Sequence, residues 1–163
     1  MSRFYTVTFE AVAVTAAQDF FEINPAAGKN VRFCGLMLSQ SSDVGDAAEE
    51  ILRVTITRVP ATFTTGSGGT AITEGTDGAW ALSPTQQTAG FAAEVNNTTI
   101  ATTSGTLQHL LAYQFNIRVG LELWLPPELQ PEFVNAAAGV VRLAAAPSDS
   151  LTMSGTLFIE ELG

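Results

Sequence analysis

The chain has 163 residues, 46% hydrophobic and only 14% charged, with 7 Lys plus Arg against 16 Asp plus Glu for a formal net charge of −9. That length suits one domain spanning residues 1–163 with its own core, and so much apolar material excludes a disordered chain. The basic residues are scattered, leaving no stripe for nucleic acid or an anionic membrane. No apolar run approaches the roughly 18–20 residues of a membrane span, and Met1–Phe4 lacks the apolar core of a signal peptide.

Period-two alternation dominates the rest of the reading. Tyr5, Val7, Phe9, Ala11 and Ala13 alternate with Thr6, Thr8 and Glu10, which predicts a half-buried strand. A short strand follows over Asp19–Ile23, and Asn24-Pro25-Ala26-Ala27-Gly28-Lys29 breaks it with turn residues. Val31–Gln40 resumes as strand, with Leu36 and Leu38 opposite Phe33 and Met37. Within Ser41–Glu50, Asp43 or Asp46 can cap a single helical turn, the one credible helix start in the chain. Ile51–Val59 places Leu52, Val54 and Ile56 on one face.

Residues 60–105 read differently. Gly66-Ser67-Gly68-Gly69 and Thr73–Gly78 are turn-rich, so the stretch is expected to be one long loop or extended excursion, anchored by Trp80, Phe91 and Ile100. Strand signal returns over Leu107–Val119, with Leu107, His109, Leu111, Tyr113, Phe115 and Ile117 on one face. It continues through Leu121, Leu123 and Leu125 to Pro126-Pro127. Val140–Ala145 and Leu151–Glu161 complete eight or nine strands. The predicted fold is all-β: a single antiparallel β-sandwich, jelly-roll-like, with at most one or two short helical turns.

The sequence offers little to catalysis. One Cys34 and one His109 exclude an internal disulfide, a cysteine zinc cluster and any mechanism needing two histidines. His109 reads as a neutral core or interface histidine, and Cys34 as a buried, inert thiol. Asp43, Asp46, Glu49 and Glu50 lack the spacing of a calcium loop and read as a solvated acidic turn. No nucleophile elbow, phosphate loop or convergent acid pair stands out, and Asn96-Asn97-Thr98-Thr99 reads as a chance sequon. No catalytic, metal or cofactor residue is assigned, and the chain is read as no enzyme. Trp80, Trp124 and Tyr113 serve either a sugar-stacking platform or core and interface filling. Long Thr/Ala/Ser stretches without charge point to surface buried against partners, hence to self-association as a trimer.

Several local patterns carry a resemblance. They include Pro25-Ala26-Ala27-Gly28-Lys29-Asn30-Val31, Leu38–Asp43, Thr65-Gly66-Ser67-Gly68-Gly69-Thr70, Phe115-Asn116-Ile117-Arg118-Val119-Gly120 and Ser154-Gly155-Thr156-Leu157-Phe158-Ile159-Glu160-Glu161. Together they span most of the chain, which resembles the head-decoration, or cement, proteins of tailed bacteriophages. The resemblance implies a small, often trimeric β-sandwich on the outer capsid surface of the virion, bridging major capsid protein subunits, with no cofactor, nucleic acid or membrane as partner. The family pattern assigns no contact residues. Phe4, Tyr5, Trp80, Phe91 and Trp124 are the candidate oligomer or capsid interface, with the terminal strands and the long loop as the segments able to reach a neighbour. The other functional expectation is a carbohydrate-binding module of a phage tail or fibre, using Trp80 or Trp124.

Overall fold

The computed structural model describes residues 2–42, 49–73, 79–81 and 88–163. Among the described residues fourteen strands follow in chain order. They are β1 (Arg3–Val14), β2 (Gln18–Pro25), β3 (Asn30–Gln40), β4 (Ile51–Pro60), β5 (Phe63–Thr64), β6 (Thr70–Ile72), β7 (Ala79–Ala81), β8 (Phe91–Asn97), β9 (Thr102–Thr103), β10 (Gln108–Asn116), β11 (Leu121–Trp124), β12 (Glu132–Val134), β13 (Ala137–Leu143) and β14 (Leu151–Leu162). Among the described residues the only helical piece is a 3-10 turn at Pro127–Leu129, and no helix is long and apolar enough to cross a membrane.

All pairings are antiparallel, and they separate into two sheets. One runs β1-β14-β3-β11 and the other β2-β13-β4-β10. β1 to β4 alternate between them, as do β10, β11, β13 and β14, so β1, β3 and β14 face β2, β4 and β13. That interleaving is the double Greek key of a jelly roll. β12 pairs β3 beside β11 and turns directly into β13 through Val134↔Ala137, joining the two sheets at one corner. β8 and β6 extend the second sheet beyond β2, and β7 extends the first beyond β1.

One apolar cluster fills the space between the sheets. Tyr5, Val7, Leu157 and Ile159 from the first sheet meet Phe21, Ile23, Val54 and Val141 from the second, all buried. Phe9 packs against both Phe20 and Phe21, with ring centroids 5.6 and 5.3 Å apart. Burial of each such ring contributes about 1.5–3 kcal/mol. β14 shows the expected alternation without a break, from Leu151 inward to Leu162 outward.

Bulges set the faces of three strands, and in β3 and β10 they alter the predicted ones. In β3 the register against β14 slips at Cys34, so Phe33 turns inward with Leu36 and Leu38 instead of standing opposite them. In β2 the slip against β13 lets neighbouring Phe20 and Phe21 both enter the core. In β10 the slip between His109 and Leu111 puts His109 outside, exposed, with Nδ1 2.9 Å from Thr57 Oγ1; the expected apolar-face histidine is therefore corrected. Cys34, expected to be buried, is half-buried at its bulge. The helical turn expected within Ser41–Glu50 lies on residues 43–48, outside the described residues.

The stretch 60–105 is not one long loop. It holds β5 to β9, and β8 is a full member of the second sheet. Residues 61–69 and 98–105 fold over that sheet's outer face, where Ala101 and Phe63 pack with Val59 and Val140 in a second, smaller apolar cluster. Ile100 stays exposed and anchors nothing; Ala101 takes that place.

A polar clamp holds this cover down. Arg142 donates from Nε to Asp19 Oδ1 at 2.5 Å and from Nη2 to Asp19 Oδ2 at 2.9 Å. The same Nη2 donates to the Ala101 carbonyl, while the Ala101 N–H donates to Asp19 Oδ2 at 2.7 Å. Both charged side chains are buried, at 9% and 0% exposure, so either one left alone is costly. At the other end, fully buried Glu161 receives Arg3, Lys29 and the Gly90 N–H, tying β1, β14, the β2–β3 turn and the approach to β8 together. The Asp19→Ala variant is expected to lose about 3–5 kcal/mol in urea unfolding and to be cut by protease within residues 60–69. Unchanged stability would show that the clamp is dispensable.

Candidate functional site

The two outer faces differ. The second sheet is covered by the chain's own 60–69 and 98–105 segments, while no described segment covers the first. Strand register sets what the open face presents. Trp124 of β11, Gly35 of β3, Phe158 of β14, Thr6 of β1 and Trp80 of β7 stand opposite one another in a single row.

Trp124 is 53% exposed, yet its ring is fixed. A Cβ on Gly35 would stand 2.6 Å from Trp124 Cε3, so the indole lies directly on the glycine backbone. The ring packs at a tilt on Phe158, with centroids 4.6 Å apart, and Nε1–H donates to Glu122 Oε1 at 2.9 Å. Glycine beneath an aromatic ring is how a sheet accommodates a flat side chain that must lie down rather than stand up.

The next row of the same face is Glu122, Met37, Thr156 and Thr8, followed by Ser39 opposite Ser154. These residues floor a shallow groove of about 600 Å³, which Glu10 and Val119 help to line. A bulge in β1 at Glu10 and Ala11 turns the Ala11 N–H onto Ser154 Oγ at 3.0 Å, with Ala11 at φ 52°. The groove's chemistry is therefore hydroxyls, two carboxylates and a thioether. No Lys or Arg lines it.

Under the cover lies a second polar set. Glu22 accepts from Thr65 Oγ1 at 2.6 Å and from the Gly66 N–H, while Glu94 accepts from Asn97 Nδ2. A cavity of about 220 Å³ beside them is lined by Glu22, Asn24, Phe63, Thr65 and Glu94, and Asn24 Oδ1 is buried there without a partner. Burial pushes the Glu22 carboxyl above its ordinary value, against the opposing pull of the Thr65 hydroxyl. Burial likewise raises the Cys34 thiol to about 11, helped by the nearby Glu160 carboxylate, so little reactive thiolate forms there. Among the described residues, no three His, Cys, Asp or Glu side chains converge as a metal group would require.

The five expected interface residues fall in different places. Tyr5 is wholly buried, meeting Phe91 edge-on at 5.3 Å; the hydroxyl-bearing ring is core and offers no surface, and Phe91 is half-buried behind it. Phe4 is 45% exposed at the edge of the open face. Trp80 stands in register with Thr6, and Trp124 forms the platform. Gly35, Phe158 and Glu122 were missed by sequence reading, because only strand register brings them to Trp124. The terminal strands β1 and β14 pair with each other inside the first sheet. Compared with family models, curated proteins and solved structures, the chain matches none.

The Glu22 shift has a pH signature. With its carboxyl raised in the fold above the ordinary value of 4.5, the folded state holds a proton that the unfolded state releases, so stability falls as pH rises from 4.5 through the raised value. Urea unfolding followed from mildly acidic pH to neutrality is expected to show that fall in the natural chain and to lose it in Glu22→Gln. A natural chain whose stability rises across that interval, with the same slope in the variant, would contradict the assignment.

Proposed function

We propose that this chain is a structural protein of a tailed-phage virion that binds the outside of the head as a homotrimer and bridges major capsid protein subunits. It works by binding rather than by catalysis. The observation that carries this reading is an apolar tip at one end of the jelly roll. Ile51 begins β4 opposite Asn116, and Val119 lies in the turn that follows, its N–H bonded to the Asn116 carbonyl. They are 64% and 86% exposed, the two most exposed large apolar side chains among those described. Exposed apolar side chains at a strand end and in its adjoining turn favour contact with a partner's surface.

Two further features support an outer location. A chain of net charge −9 is repelled by packaged DNA, so it suits the outside of a shell. A trimer engaging a symmetric lattice gains tight attachment from individually weak tips. The resemblance to cement proteins agrees with the jelly-roll fold. The reading as a carbohydrate-binding module of a tail or fibre keeps one observation in its favour, the exposed Trp124 ring, and location separates the two.

Immunogold microscopy of the source virions is expected to label heads densely. Charging the tip in an Ile51→Lys, Val119→Lys double variant is expected to reduce head occupancy at least about tenfold with folding intact, a loss of about 1.4 kcal/mol. Label confined to tails would transfer the function there, and unlabelled particles would overturn the virion assignment. Light scattering on the free protein is expected to give close to three times 17.2 kDa. A stable monomer at micromolar concentration would remove the trimer.

A further inference from the structure

We propose that the groove across β11, β3, β14 and β1, with Trp124 at its side, is a binding site for an uncharged saccharide. A sugar ring offers one face of C–H bonds, weakly positive, and a rim of hydroxyls. The first matches the negative face of an exposed indole, and the second needs hydrogen-bonding groups within reach. Both are present here. Trp124 lies flat on Gly35 with more than half its surface open, and its position is locked by Phe158 and by the Nε1–H bond to Glu122. Beside it the groove floor carries Ser39, Ser154, Thr156 and the carboxylates of Glu122 and Glu10.

Charge selects this occupant over others. With carboxylates and no cation among the lining residues, the groove repels anionic glycans, phosphates and nucleic acid. A second copy laid face to face would bring Glu10 and Glu122 against the same acids of a chain at −9. A polycationic peptide is poorly served too, because Glu122 is engaged with the indole and Glu160 stands opposite Arg32 in register. The three strand spacings from β11 to β1 measure about 14 Å, enough for a short oligosaccharide to lie across the sheet. Ring locking adds to this, since a platform already in place loses little entropy when the sugar stacks. The inference stands on Trp124 and the groove, and holds whether the chain sits on a head or a tail.

The test uses a Trp80→Phe background, which leaves Trp124 as the sole tryptophan. Its emission is titrated with cellohexaose, maltohexaose and chitohexaose, and the protein is run on an array of neutral and acidic glycans. At least one neutral glycan is expected to bind. Trp124→Ala and, separately, Thr156→Lys are expected to weaken that binding at least about tenfold. Thr156→Lys leaves the indole and the core untouched, so it keeps the test meaningful if loss of Trp124 affects folding. Three results would overturn the proposal: no neutral glycan bound on the array, binding unaffected by both variants, or preference for sialylated or uronic glycans. Loss of head attachment in Trp124→Ala without glycan binding would make this face a protein contact and overturn it as well. Unlabelled virions, in contrast, would remove the capsid role and leave this site standing.

Discussion

The buried pair of Asp19 and Arg142 determines which side of this sandwich is available to a partner. Its carboxylate takes two guanidinium bonds and the Ala101 N–H, and the guanidinium takes the Ala101 carbonyl, so the 98–105 segment is fastened to the outer face of β2, β13 and β4. Charges in such a position are stable only while every partner is in place. The segment is thereby held, and beneath it Glu22, Glu94 and Asn97 find their donors and acceptors in the chain itself. A jelly roll has two outer faces. This one closes the face of its second sheet with its own 60–69 and 98–105 segments.

What remains open then becomes informative. No described segment covers the outer face of the other sheet, and its features are ordered by strand register into rows: an aromatic row through Trp124 and Phe158, and beside it rows of hydroxyls and carboxylates. Ile51 and Val119 stand at the end of the sandwich where β4 begins and β10 turns toward β11, and Val119 also lines that end of the open groove. Attachment through that end leaves the open flank beside the point of contact, facing solvent. The proposed capsid contact and the proposed saccharide site therefore adjoin at Val119, which borders both.

How much of this the sequence discloses depends on whether a feature is local. The core alternation of β14 and β4, the turn at Ala26–Lys29 and the stop at Pro126-Pro127 are written in neighbouring residues and were legible. The bulges at Cys34, Phe20 and Leu110 were not, because each is a mismatch with a partner strand distant in sequence. β8 was hidden for another reason. Its outward residues Glu94 and Asn97 look solvated but are half or wholly buried beneath the insertion, and its inward residues include the small Ala93. Trp124 stood out as an aromatic residue, whereas the glycine it rests on and the phenylalanine it packs against became visible only once β11, β3 and β14 were aligned.

Cryo-electron microscopy of heads carrying the protein tests the central claim, that the end attaches and the open flank does not. The account predicts jelly-roll density standing on the shell by the Ile51 and Val119 tip, with the sheet bearing Trp124 turned to solvent. Density lying flat, with β3, β11 and β14 pressed against the capsid, would contradict it.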